Sequence, residues 1–425
     1  MSATHDLRAL VEAEALAARR AAAALTDAAV EAALTEAAAL VRDRSAAILR
    51  ANEADVAAAQ GRLDAGMVDR LRLDAGRVGA MARQVAATAT LPPLDREAAA
   101  WTLDNGLRVS ERRIPIGVVG ANFEARPNVA LDVAAQLLKS LNTGVLRTGG
   151  AALRTVTVIV DEVVRPALER AGLPPGAIGL VRSDDREGAR ILVSLPKLVR
   201  LVVLRGSGET TAALARLAAE HGVRTLAHAE GGGVLYIHRD ADPAMALALA
   251  DNSLDRLGVC NRLNLALVDA ARTDVIPGLL EIFRRRNLDV RGTERARALA
   301  GAGVAPLDRP LGHDWTSDPD RVSTVTLDIV GSLDEAVGIA NDETSGLAAA
   351  IVTSDEVAAY RFLDTYRGTT AYWQAPTRFT DGFALTGAPE TGINVDWTPG
   401  PRGPVTYRDL WLRQYRVIGD GSQHR

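Results

Sequence analysis

The 425-residue sequence predicts an α/β fold with a largely parallel, doubly wound sheet. Three observations carry this. From about residue 116 short apolar runs alternate with segments of helix length. The run Ile116–Val119 carries no polar side chain, as expected of a strand buried on both faces. The joints between them, "VVGAN", "LRTGG", "RGSGE" and "EGGG", are glycine-bearing turns.

Taken in order, residues 7–60 read as long helices, because Leu7, Leu10, Val11 and Ala15 fall at helical spacing, as do Leu40, Val41, Ile48 and Leu49. Alanine reinforces the helical preference, and "LPPLD" at 91–95 ends this layer. "NGLRVSERRIPIGVVGAN" then supplies a turn, an alternating strand and the buried run Ile116–Val119. Helices follow over 129–141, 151–171 and 212–220, with strands at "TGVLRTG", "GAIGLVR", "LVRLVVLRGS" and "GGGVLYIHRD". A second unit runs from about Asp240 to Gly368, with helices over 241–257 and 275–286 around a strand at 264–268. The tail after Gly368, rich in Gly, Pro, Thr and aromatics, reads as an extended arm.

Composition excludes several function classes. Forty-nine basic and 53 acidic residues are well mixed, and a net charge of −4 argues against a broad grip on nucleic acid. No apolar run approaches the ~18–20 residues of a membrane span, and no apolar core of a secretory signal follows the start. A single cysteine precludes an intramolecular disulfide and suits a reducing, cytoplasmic setting. The six histidines show no metal-ligand spacing, so no metal site is expected.

That cysteine, Cys260, lies in "RLGVCN", a glycine-bearing turn before a strand. A free cysteine is often a small core hydrophobe. Here backbone N–H groups and the neighbouring Arg256 are expected to lower the thiol pKa and favour a nucleophile. In "NFEARPN" a strand runs through a polar loop into a helix, with Pro127 in the first turn and Asn128 near the helix N-terminus. Asn128 is there a plain cap or a donor to developing negative charge, and Arg126 a surface residue or an anion clamp. "LRGSGET" at 204–210 has the strand–turn–helix form that cradles phosphate, without the dinucleotide glycine fingerprint.

The segments "ANFEARPNVALDVAAQLLKSLNTGVLRTGG", "VRLVVLRGSGE", "LAHAEGGGVLYIHRDAD", "GVCN" and "TRFTDGF", in that order, resemble the gamma-glutamyl phosphate reductases, also called glutamate-5-semialdehyde dehydrogenases, of the aldehyde dehydrogenase superfamily. The similarity runs from about residue 10 to 421. It implies a cofactor domain within residues 1–235, interrupted near 105–125 by an oligomerisation strand, a catalytic domain over 236–370, and a return segment and arm over 371–425. It implies that Cys260 attacks an activated γ-carboxyl carbon and that Asn128, with the Cys260 N–H, holds the oxyanion. It implies NADP(H) on Arg147, Thr148, Gly149, Arg205, Gly206, Ser207, Gly208, Glu230 and Gly231, with the Arg147 guanidinium suited to a 2′-phosphate. Arg126, Asn261, Arg378 and Glu390 are the implied substrate contacts, and a homo-oligomer, dimer or tetramer, the implied assembly.

The sequence departs from this family at positions expected to face substrate. Leu347, Ala348 and Ala349 replace a His, a Thr and an acid; Asn264 and Leu265 replace a Glu and a Thr; Gln374 and Pro376 replace an Asn and a Ser. Two readings result: a diverged enzyme of the same reaction, or a paralogue applying the same thiol and hydride chemistry to another activated carboxylate or aldehyde. A hydrolytic aldehyde dehydrogenase using Glu230 as base, and an inactive scaffold, are the further alternatives.

Overall fold

The computed structural model describes residues 2–423 apart from Asp64, Ser207, Ala229 and Pro399. Two all-parallel sheets account for the strand–helix alternation. The first has five strands, in the spatial order Ile178–Leu180, Thr143–Thr148, Val118–Phe123, Leu201–Arg205 and Arg224–His228. Val118–Phe123 and Thr143–Thr148 are buried at every residue, including the polar Asn122 and Arg147 near their carboxyl ends.

The second sheet has seven strands, in the order Ala305–Pro306, Asp289–Gly292, Thr324–Val330, Leu263–Asp269, Gly233–Ile237, Ala348–Val352 and Ala371–Trp373. The expected boundary at 235/236 falls inside strand Gly233–Ile237, and the one at 370/371 leaves Ala371–Trp373 outside the segment although it is the edge strand of this sheet. A segmentation by hydrophobic rhythm misses this, because a strand shows no sheet membership in its own residues.

The N-terminal layer consists of helices Ser2–Ala21, Asp27–Asp43, Ser45–Ala59, Ala65–Leu71 and Ala75–Thr90. The last two lie beyond the helices read from the sequence. Asp74, whose side chain accepts from the Arg77 N–H, is the cap that marks the start of the longer one. Buried polar groups tie this layer to helix Leu153–Ile159, which follows strand Thr143–Thr148, and fasten it internally. Asp55 Oδ2 accepts from Thr155 N at 2.8 Å and Thr155 Oγ1 at 2.7 Å, and Asn52 Oδ1 accepts from Leu73 N at 2.6 Å.

A separate antiparallel sheet joins Glu97–Thr102, Arg108–Pro115 and Trp411–Ile418, so the tail returns beside the strand that precedes Ile116. The expected 105–125 interruption is too long, because Val118–Phe123 is the central strand of the first sheet. Trp101, Leu412, Tyr415, Val417 and Ile418 are exposed on the small sheet. Among the described residues no helix is long and apolar enough to cross a membrane.

Candidate active site

Cys260 is half-buried on the turn between helix Pro243–Asn252 and strand Leu263–Asp269. The glycine turn leading into Gly233–Ile237 packs directly on it. Gly232 N–H donates to the Cys260 carbonyl at 2.6 Å, and a Cβ on Gly231 would stand 2.6 Å from the Cys260 Cβ. Gly232 has φ +107, a conformation that favours glycine. Gly231 N–H donates to Asp314 Oδ2 at 2.8 Å, while Ser345 Oγ donates to the Gly231 carbonyl at 2.9 Å. The turn over the thiol is therefore held from three directions.

The other side of the thiol turn is equally braced. Asn261 Nδ2 donates to the carbonyls of Arg378 and Thr380, both at 3.0 Å, and Thr377 Oγ1 donates to the Asn261 carbonyl at 2.9 Å. Arg378 donates from Nε to Asp255 Oδ1 at 2.6 Å and from Nη1 to Asn261 Oδ1. Asn261 and Arg378, expected at the substrate, are thus bonded to each other and to the thiol turn.

Burial pushes the Cys260 thiol up to about 11; Arg126 and Arg205 pull it down, and Asp314 and Glu390 add to the rise. The expected lowering is therefore reversed in the free protein, because the loss of hydration outweighs the two guanidinium groups. Arg126 lies at the N-cap of helix Pro127–Lys139, after Ala125, whose φ of 45 is unusual for a residue with a side chain. Burial, and then the charges of Arg205, Arg70 and Arg256, push Arg126 down to about 10, while Cys260 opposes this. Arg205 acts on Arg126, Cys260 and Asp132, so the R-P-N loop and the thiol turn share one cleft with the end of strand Leu201–Arg205.

Asn128 Nδ2 donates to Asp132 Oδ2 at 3.1 Å. Asp132 is buried, its Oδ1 has no partner, and burial pushes its carboxyl up to about 7 against the opposing Asn128 bond. Asp132 and Asp314 brace the candidate site through Asn128 and Gly231, and the sequence reading named neither. An Asn and an Asp four apart on a helix face each other, so Asp132 carried a signal. Asp314, in a long irregular segment, carried none.

On the cofactor side, Arg147, Thr148 and Gly149 stand at the carboxyl end of one strand, and Arg205, Gly206 and Gly208 beyond the carboxyl end of another. Open α/β sheets take ligands outside the carboxyl ends of their strands. Arg147 is turned inward, donating from Nη1 to Asn122 Oδ1 at 3.2 Å and from Nη2 to the Asp185 carbonyl at 3.1 Å. Its Nε and the Thr148 Oγ1 are buried without a partner, and a side chain on Gly149 would meet open space. These orphaned groups beside open space fit a polar ligand such as a dinucleotide. Glu230 is exposed next to Gly231, and Ser207 lies outside the described residues. Glu390 Oε2 accepts from Gly382 N–H at 3.0 Å, and its Oε1 lies 3.9 Å from Arg205 Nη2.

Of the departures from the family that were expected at the substrate, Leu347, Ala348, Ala349, Asn264 and Leu265 are buried in the second sheet and its approach, while Gln374 is exposed. Leu347 and Ala348 belong to one hydrophobic cluster of the second sheet and Ala349 to another, all three fully buried. Leu265 is buried in the same strand as Asn264. Asn264 donates to the His313 carbonyl at 2.7 Å and accepts from Trp315 N at 3.1 Å, fastening the segment that carries Asp314. Arg262 is wholly buried and donates to the carbonyls of Leu263, Val322 and Thr324 at 2.8, 3.0 and 2.7 Å. Gln374 Nε2 donates to the Thr353 carbonyl at 2.7 Å. A sequence without coordinates does not show that a polar residue beside a nucleophile points into the core.

Paired parallel sheets, with a half-buried thiol on the turn that leads into a strand of the second, define an aldehyde-dehydrogenase-type architecture, and the Aldehyde dehydrogenase family model matches residues 3–276. A gamma-glutamyl phosphate reductase of Nautilia profundicola is 32% identical over 388 residues, 90% of this chain and 91% of that protein. The crystal structure of gamma-glutamyl phosphate reductase from Thermotoga maritima matches with a TM-score of 0.89 at 27% identity, covering 98% of this chain and 100% of that one. An engineered glycolyl-CoA reductase with bound NADP+ shares the fold, with a TM-score of 0.70 at 15% identity over 97% of this chain and 96% of that one. The chain belongs to the aldehyde dehydrogenase family and, within it, to the gamma-glutamyl phosphate reductases.

Proposed function

We propose that this enzyme reduces L-glutamate 5-phosphate to L-glutamate 5-semialdehyde and phosphate, with NADPH as reductant, in the cytoplasmic synthesis of proline. The observation that carries the reading is the family membership over nine-tenths of the chain joined to a lone, turn-borne Cys260. Cys260 Sγ attacks the acyl carbon, the C–O bond to phosphate breaks, and the thiol proton leaves on hydrogen phosphate. The Asn128 amide, oriented by Asp132, and the Cys260 N–H hold the tetrahedral oxyanion. NADPH, when bound, would supply the hydride to the thioester carbon; the C–S bond then breaks, the semialdehyde leaves, and the Cys260 thiolate takes up a proton. Thr148, Gly149, Gly206 and Gly208 would hold the dinucleotide at the carboxyl edge of the first sheet, with Arg147 as the specificity element.

The core placement of Leu347, Ala348, Ala349 and Arg262 removes the main reason to assign another substrate. The exposed small sheet supports a homo-oligomer assembled through it. NADP+ reduction by L-glutamate 5-semialdehyde plus phosphate, run against a panel of other semialdehydes, tests the reading; robust turnover with another aldehyde alone would overturn it.

A further inference from the structure

One buried acid beside the site serves a single partner. Asp132 lies one turn after Asn128 on helix Pro127–Lys139 and is buried. Its Oδ2 accepts from Asn128 Nδ2 at 3.1 Å, and among the described residues its Oδ1 has no partner. The charged groups that act on it are Arg205, which favours its ionised form, and Glu390, which opposes it; neither is bonded to it. A buried carboxyl with one neutral donor and an orphaned oxygen works against the fold. Its contribution therefore lies in what it does to Asn128.

The two ends of an amide have one shape and opposite polarity. A carboxylate only accepts, so Asp132 draws the nitrogen end of Asn128 to itself. One Nδ2 hydrogen goes to Asp132, which leaves the second for the oxyanion. Turned over, the amide would put an oxygen where Nδ2 now stands, and an oxygen repels developing negative charge.

We propose that Asp132 is a positioning residue that selects the nitrogen end of the Asn128 amide and acts on the reaction only through that choice. This rests on the reading of Asn128 as the oxyanion donor.

The test separates a choice of amide end from packing. Asp132→Asn keeps the shape, cannot ionise, and can donate to an amide oxygen as readily as it accepts from an amide nitrogen. Its kcat for NADP+ reduction with saturating phosphate should fall by about tenfold or more, with KM for the aldehyde near the wild-type value. Its thermal stability at alkaline pH should equal or exceed that of the wild type, because no carboxylate is left to bury. Asp132→Ala, which removes the acceptor altogether, should lose kcat by a similar factor. Asn128→Ala should cost about 100-fold, and adding Asp132→Asn to it should cost nothing more, since the amide to be oriented is gone. Alkylation of Cys260 by iodoacetamide builds no oxyanion and should keep its wild-type rate in Asp132→Asn, because the charges that act most on the thiol are Arg126, Asp314, Arg205 and Glu390. Wild-type kcat in Asp132→Asn beside an impaired Asn128→Ala would overturn the proposal. Parallel losses of kcat, alkylation rate and stability would overturn it and make Asp132 a packing residue. Additive losses in the double variant would overturn it by showing a route that bypasses Asn128. Full activity in Asn128→Ala would instead overturn the oxyanion reading on which the proposal rests.

Discussion

Gly231→Ala is the substitution whose outcome the geometry constrains most tightly. The new methyl carbon would lie 2.6 Å from the Cys260 Cβ, 2.8 Å from its carbonyl oxygen and 2.9 Å from its Cα. Carbon atoms pack at about 3.5–4.0 Å, so the two turns must separate by about 1 Å. Neither is free to do so cheaply. Asp314 and Ser345 hold Gly231, and Gly232 N–H holds the Cys260 carbonyl. A displacement of about 1 Å at a reacting atom costs on the order of 100-fold in rate, and overpacking of this kind destabilises a fold by about 1–3 kcal/mol. The assay is kcat/KM for NADP+ reduction, read beside thermal unfolding. Gly258→Ala is the control, since a Cβ there meets nothing within 4 Å. Wild-type kcat/KM in Gly231→Ala would refute the claim that the glycine turn positions the thiol.

Three further predictions concern the supports of the site. The Asp132 carboxyl is raised in the folded state from 3.8 to about 7, so folding favours its protonated form. Stability should fall as pH rises from about 4 to about 7, by on the order of a few kcal/mol, and denaturant midpoints of Asp132→Asn should be flatter across that window; superimposable profiles would contradict this. Arg262→Ala strands three buried carbonyls and should cost about 3–5 kcal/mol without changing relative aldehyde preference, as unfolding and a substrate panel would show. Val417→Lys on the exposed sheet should shift the protein to a smaller species in sedimentation; an unchanged mass would move the oligomer interface elsewhere.

The sheet architecture was legible because strands buried on both faces write short apolar runs, as Leu201–Leu204 and Leu265–Val268 do. Cys260, Arg126 and Asn128 were legible because each sits at a turn or helix start whose chemistry is local. What escaped is what depends on long-range packing. Asp314 reaches Gly231 from 83 residues away, and neither segment carries a periodic pattern. Asn264 looked like a site residue by adjacency, yet its amide is fastened to the 313–315 segment. The thiol pKa was misjudged for the same reason, since its neighbours were visible in sequence and its burial was not.

The central claim, a Cys260 thioester released by phosphate, is tested most directly by a burst experiment. L-Glutamate 5-semialdehyde and NADP+ are mixed with the enzyme in the absence of phosphate, and NADPH is followed by absorbance. The account predicts a single rapid burst of one NADPH per chain, no burst in Cys260→Ser, and steady turnover on adding phosphate. Continuous turnover without phosphate would contradict it and make the protein a hydrolytic aldehyde dehydrogenase, with the exposed Glu230 as the base to examine.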